Sequence, residues 1–269
     1  MRQDASVTIL GARGSVPVSG REFLRYGGAT TCILVRLAGQ CAVLDAGTGL
    51  LRLPDFLQDG ERRVPLLLSH SHADHLLGLP MCPLLFQPDF QMDLYAAPRN
   101  GLDAEHQTRA LLSPPLWPVG PERLPSPPVF HDLPAHLELG GITVESREGV
   151  HPGGISLLRL TGGGRRVVFV TDCTLTDALL PGLTDFARDC DLLLCDGQYS
   201  EAEWPARSGF GHSTWLAAAR LGDACGARKV RVIHHDPSRT DRQLDAAADE
   251  LLRFHPDCTF AYAGEEVFL

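Results

Sequence analysis

His70-Ser71-His72-Ala73-Asp74-His75 follows, after Ser69, the apolar run Val64-Pro65-Leu66-Leu67-Leu68, and the rest of the chain is read outward from this stretch. A run of four to five apolar residues suits a strand buried on both faces. His70 and His72, two apart in extended backbone, point to the same side and can grip one cation. Where the chain then curls into a turn or helix, Asp74 and His75 can face a second cation. Imidazole and carboxylate donors suit zinc, and also iron or manganese. The bland alternative is a polar loop that is merely rich in histidine, and the spacing argues against it.

One such motif supplies half a site, so further ligands must come from elsewhere. His151, in His151-Pro152-Gly153-Gly154, lies between two strand-like segments and could complete three imidazoles around a first ion. Asp172 follows the strand-like Val167–Val170 and could bridge two ions. His234-His235-Asp236-Pro237 ends the run Val230–Ile233 and could close a second site. Strand alternation sets Val230, Val232 and His234 on one face and Arg231, Ile233 and His235 on the other, which leaves two candidate histidines. Each residue taken alone reads as a turn histidine, a capping aspartate or a satisfied pair. Their shared placement at strand termini is what makes them a set.

Composition narrows the class. The 269 residues are 44% hydrophobic and 21% charged, with 27 Gly and 20 Pro, which suits a large core joined by many turns. That excludes disordered, collagen-like and coiled-coil chains. No apolar run approaches the ~18 residues needed to cross a bilayer. Met1-Arg2-Gln3-Asp4-Ala5-Ser6 carries no apolar signal core. Thirty-three acidic against 24 basic residues give a net charge of −9, which argues against a dedicated polyanion binder but leaves room for a small phosphorylated substrate. The eight cysteines form no C-x-x-C pair, so reduced, buried thiols and a cytoplasmic location are expected.

Short strand-like runs at Val7–Leu10, Cys32–Leu37 and Ala42–Leu44 open the chain. Prolines crowd residues 80–134, which reads as a loop-rich stretch. Strands resume at Ile142–Val144, Ile155–Leu160, Val167–Val170, Leu192–Leu194, Val230–Ile233 and Thr259–Tyr262. Ser213 reads as the N-cap of one helix, and Leu244, Ala247, Ala248, Leu251 and Leu252 mark another that stops before Pro256. Strands first, then strand–helix alternation, predict two sheets packed together with helices outside, in one domain spanning 1–269.

The order H-x-H-x-D-H, then His, then Asp, then His, resembles the metallo-β-lactamase superfamily of binuclear metallohydrolases, most closely its ribonuclease Z-like and phosphodiesterase branch. The resemblance runs along the chain through Gly11-Ala12-Arg13-Gly14-Ser15-Val16-Pro17, Tyr26-Gly27-Gly28-Ala29-Thr30-Thr31-Cys32, Leu44-Asp45-Ala46-Gly47-Thr48-Gly49 and Gly211-His212-Ser213-Thr214. It implies an α/β fold, a four-layer αββα sandwich of two mixed sheets flanked by helices. It also implies two divalent ions, zinc first and manganese or iron as alternatives. His70, His72 and His151 would bind one ion, Asp74, His75 and His234 the other, and Asp172 would bridge them.

Within the superfamily, His72 stands where flavin-linked diiron relatives carry Glu, which favours hydrolysis. Cys173 is one residue away from where zinc β-lactamases place a cysteine ligand. Ribonuclease Z of the bacterial type inserts a tRNA-gripping arm between the positions of His151 and Asp172, and residues 152–171 leave no room for one. The implied activity is a phosphodiesterase using a metal-bridging hydroxide on a small phosphodiester or cyclic nucleotide. Alternatives are a hydrolase of a carboxylic ester, lactone or thioester, and a non-hydrolytic iron protein. In this reading Asp74, His212 and Asp196 are catalytic. His212, paired with Asp196, protonates the leaving group, Asp45 orients a ligand histidine, and Arg13 reaches the substrate phosphate. The segment Pro114–Pro128, with Trp117 and Phe130, roofs the cleft. The expected partner is a small molecule, with structured RNA unlikely, no membrane, and a homodimer as one option.

Overall fold

Apolar runs in the first half of the chain pair into one sheet, and those in the second half into another, in a computed structural model that describes residues 5–269. Met1–Asp4, part of the opening read above for the lack of a signal core, lie outside the described residues. The first half contributes β1 (Ser6–Gly11), β2 (Cys32–Leu37), β3 (Gln40–Leu44), β4 (Arg63–Leu68), β5 (Gln91–Ala96), α1 (Ala104–Arg109) and β6 (Val129–Asp132). Next come β7 (His136–Leu139), β8 (Ile142–Glu148), β9 (Ser156–Gly162), β10 (Arg165–Val170), α2 (Leu180–Phe186), β11 (Leu192–Asp196) and α3 (Trp204–Arg207). The chain ends with α4 (Trp215–Cys225), β12 (Lys229–Ile233), α5 (Asp241–Leu252), β13 (Cys258–Phe260) and β14 (Glu266–Phe268).

Each sheet has seven strands, in the orders β14-β1-β2-β3-β4-β5-β6 and β13-β12-β11-β10-β9-β8-β7. Both are mixed. β3 to β6 run parallel in the first, and β10 to β13 run parallel in the second. Parallel strands in register end at the same level, and this fixes the chemistry. Leu44 stands opposite Leu67, Val170 opposite Cys195 and Asp196 opposite Ile233, so the residues just beyond these strands share one edge.

Three buried clusters fill the three interfaces between four layers. Val7, Ile9, Val35, Leu44 and Leu67 of the first sheet meet Leu158, Leu160, Phe169, Leu192 and Leu194 of the second. Alternation turns the other side chains outward. Leu34, Val43, Leu66 and Leu94 pack under α1 and the 3₁₀ turns Thr48–Phe56 and Pro83–Phe86, while Val168, Val170, Leu193 and Val232 pack under α2, α4 and α5. Strands covered on both faces need near-continuous apolar sequence, which is why β11 reads Leu-Leu-Leu-Cys-Asp. The expected αββα sandwich is present.

The proline-rich stretch 80–134 is loop-rich, as expected, and also carries β5, α1 and β6, because its prolines fall between these elements and leave their backbone donors free. Two expectations need correction. Thr214, not Ser213, caps α4, accepting from the Ala217 amide, whereas the Ser213 hydroxyl donates to the Cys173 carbonyl. Phe130 packs into the cluster on the outer face of the first sheet instead of roofing a cleft. All eight cysteines are buried and unpaired. No helix among the described residues is long and apolar enough to cross a membrane.

Candidate metal centre

The end of β4 is tied to the end of β3 through one carboxylate. The Ser69 amide and hydroxyl donate to Asp45 at 2.7 and 2.8 Å, and His75 Nδ1 donates to Asp45 Oδ2 at 2.7 Å. Between them the chain curls through a single 3₁₀ turn, Ala73–His75, which reverses the side chains after His72. Held by its Nδ1, His75 presents Nε2 to Asp74 Oδ2 and Asp172 Oδ1, each at 3.3 Å. His234 Nε2 lies 3.2 Å from Asp74 Oδ2 and 3.1 Å from Asp172 Oδ2. Asp74, His75, Asp172 and His234 therefore converge, each offering one donor atom within 4.8 Å of the others.

His70, His72 and His151 make a second group on the same criterion. His151 Nε2 lies 3.1 Å from His72 Nδ1, and its own Nδ1 donates to the Gly211 carbonyl at 2.8 Å. Asp172 Oδ2 stands 3.9 Å from His70 Nε2, so it faces both groups. A third group shares Asp172 and His234 and adds Asp196 and His212, whose Nδ1 lies 2.8 Å from Asp196 Oδ2.

Backbone conformation does part of the aiming. Asp45, Asp172 and His234 all follow strand ends and have φ of +59°, +44° and +61°. A residue with a side chain in this left-handed region costs about 1–3 kcal/mol, a strain concentrated at functional sites. Glycine provides the clearance. A Cβ on Gly14 would lie 2.4 Å from His234 Nδ1, and one on Gly211 would lie 2.2 Å from His151 Nδ1.

The donor chemistry fits divalent cations. The Nε2 atoms of His70 and His75 are buried with no hydrogen-bond partner among the described residues. Burial, reinforced by neighbouring histidine charge, pushes His70 well below the ordinary imidazole range, and burial lowers His72 and His151 as well. Neutral imidazole is the form that ligates. In the other group burial alone would raise the carboxylates, but His75 and His234 outweigh it and hold Asp74 and Asp172 low. Burial likewise works against charge on His75 and His234, yet Asp172 and its neighbours prevail, raising His75 strongly and His234 to about 9. Ionised carboxylates that draw positive charge onto buried imidazoles are a donor set matched to a metal ion.

All seven residues nominated as ligands, together with His212 and Asp196, meet at this edge. His235 does not, since its Nε2 donates to the Ala261 carbonyl at 2.8 Å and its ring packs against Tyr26 and Phe260. Arg13 is also elsewhere, and the expectation that it reaches substrate is corrected. It is fully buried, and its guanidinium donates to the carbonyls of Gly27, Asp236 and Arg239, so the charge ties loops together. Sequence reasoning missed Ser69, the Gly211 carbonyl, and Ser15, whose amide donates to Asp74 Oδ2 at 2.8 Å. Their roles rest on backbone placement, and only the Ser-His adjacency at 69–70 could have signalled one of them.

Residues 42–235, which include every one of the residues nominated as ligands, match the model of the β-lactamase superfamily domain. The chain belongs to the metallo-β-lactamase superfamily. As a member of the metallo-β-lactamase superfamily it is a metal-dependent hydrolase, and it is similar to several characterised members along nearly its whole length. Ribonuclease Z of Treponema pallidum is 24% identical, with 95% of this chain and 94% of that protein covered. The probable metallo-hydrolase YhfI of Bacillus subtilis is 25% identical over 85% and 86% of the two chains, and its crystal structure superposes with a TM-score of 0.74. A diphosphatase of the PhnP family superposes with a TM-score of 0.70 at 18% identity, covering 98% of each chain. The similarity to a ribonuclease runs against the expectation that structured RNA is an unlikely partner.

Proposed function

We propose that the protein is a binuclear phosphodiesterase, zinc-dependent in the first instance, acting on a small phosphodiester or cyclic nucleotide. The observation that carries this reading is Asp172 facing two donor groups at once, with the His212–Asp196 pair beside them. His70, His72 and His151 would hold one ion, and Asp74, His75 and His234 the other, with Asp172 shared. Two ions so held would supply an activated water and charge stabilisation at the scissile phosphoryl group.

The chain's own groups do the rest. Asp45 orients His75, and the Gly211 carbonyl orients His151, each fixing which ring nitrogen faces inward. His212 is held by Asp196 through Nδ1, which leaves Nε2 to give a proton to the departing alkoxide. An open cavity of about 440 Å³, lined by Val150, His151, Thr174, Thr176 and Ser208, receives the leaving arm. Relatives named for ribonuclease and diphosphatase activity both cleave phosphorus–oxygen bonds. Small substrates are favoured because β9 and β10 pair directly through the turn Gly163–Gly164, leaving no arm between His151 and Asp172, and because the net charge is −9.

The test is metal analysis combined with a substrate panel. We expect close to two ions per chain and faster hydrolysis of bis-p-nitrophenyl phosphate than of p-nitrophenyl acetate. His212→Ala should keep the metals and lose about 10²–10⁴-fold on an alkyl diester but little on a p-nitrophenyl diester, whose leaving group needs no proton. One ion per chain, a preference for the acetate, or equal losses on both diesters would sink the reading. Efficient 3′ trimming of precursor tRNA would overturn the small-substrate part.

A further inference from the structure

We infer that the Ser15 hydroxyl, held by Gln198, is a substrate-contact group that donates a hydrogen bond to a non-bridging oxygen of the phosphoryl group. The inference rests on the phosphodiesterase reading above and names how the protein grips that substrate.

Ser15 follows Gly14, which lies against the His234 ring, and has a φ of +62°. Its amide donates to Asp74 Oδ2 at 2.8 Å. Gln198 is its counterpart on the other sheet, just past β11, and its amide donates to Asp196 Oδ1 at 3.0 Å. Each residue therefore touches a carboxylate of the site through its backbone. Their side chains meet each other, since Gln198 Nε2 donates to Ser15 Oγ at 3.1 Å.

This pairing sets the polarity of the hydroxyl. An Oγ that already accepts from an amide N–H has its own O–H free to donate. Ser15 is exposed, whereas Gln198 is only 4% exposed, so the free O–H is on the open side of a buried clamp. Among the described residues Gln198 Oε1 is buried with no hydrogen-bond partner, and the side-chain amide bonds to Ser15 alone. Arg13, two residues before Ser15, is tied to protein carbonyls, so this loop offers substrate a neutral donor instead of a cation. A neutral donor suits the single charge of a phosphodiester.

The test uses the full-length, metal-loaded protein with methyl p-nitrophenyl phosphate as the diester. Ser15→Gly removes the hydroxyl while accommodating the positive φ and keeping the amide to Asp74. We expect unchanged metal content and kcat/KM lowered about tenfold, the value of one hydrogen bond to a charged acceptor. Gln198→Ala should cost less, and in the Ser15→Gly background it should cost nothing further, because it acts through Ser15. Rates within twofold of the parent with metals retained would overturn the inference, as would loss of metal or fully additive effects. A parent protein that leaves the diester intact overturns the phosphodiesterase reading itself.

Discussion

Asp45 binds three groups from one buried carboxylate, namely the Ser69 amide, the Ser69 hydroxyl and His75 Nδ1. It thereby couples the turn after β4 to the orientation of a proposed ligand. Asp45→Asn keeps the volume but exchanges one acceptor oxygen for a donor, which cannot satisfy all three. Metal affinity should fall about 10–100-fold, as is usual when the group behind a ligand histidine is lost. Competition titration with a chromophoric chelator reads this directly, and an affinity within threefold of the parent would refute it. Arg13 gives the opposite lesson. A lone arginine in a glycine-rich loop reads as a substrate contact, but one with all its surface buried against three carbonyls is part of the framework.

Between β11 and α4 the chain is held at the rim by Glu203. Its carboxylate accepts from the Ser200 amide and hydroxyl, and from Arg239 beyond β12 at 2.6–2.7 Å. Burial alone would raise this carboxyl, but the Arg239 bond dominates the remaining contacts and lowers it to about 2 from its ordinary 4.5. A depressed folded-state pKa means the stabilisation is complete above about 4.5 and is lost as pH falls towards 2. With the side chain 40% exposed, the contribution should stay below ~1 kcal/mol. Urea titrations of the parent and Glu203→Gln should differ at pH 6 and converge towards pH 2.5. A gap that widens on acidification would contradict the assignment.

The same scale shows what was legible in the sequence. Strands β10 and β11 announce themselves because burial on both faces demands apolar runs such as Val167-Val168-Phe169-Val170. β6 and β7 do not, since Val-Phe-His-Asp and His-Leu-Glu-Leu lie at sheet edges and owe their extended state to a paired neighbour. β5 carried a signal that the surrounding prolines masked, with Met92, Leu94 and Ala96 alternating as buried residues. The clustering of the residues nominated as ligands was legible because chemistry restricts their type. Ser15 and Gln198 were not, because they lie far apart in the sequence and neither residue type marks their side chains as a pair.

In the whole molecule, proposed ligands from both sheets meet at one edge. Asp74 and His75 come from the first sheet, and Asp172 and His234 from the second. Bound ions would cross-link the two halves of the sandwich, so metal should stabilise the global fold and not merely a loop. Metal-free protein should melt about 5–10 °C below the loaded form, on the scale set by binding at a large excess over Kd in a chain of this size. Calorimetry with and without a chelator measures it, with added zinc restoring the difference. Coincident melting curves would mean the sheets hold together without help from the centre.

Gly14 and Gly211 each leave room for an imidazole where any side chain would collide with it. The record of permitted variation should therefore contain positions with no donor atom that are as intolerant as the histidines themselves. Random mutagenesis scored by activity would map a ring of forbidden residues wider than the ligand set, drawn partly by space that must stay empty.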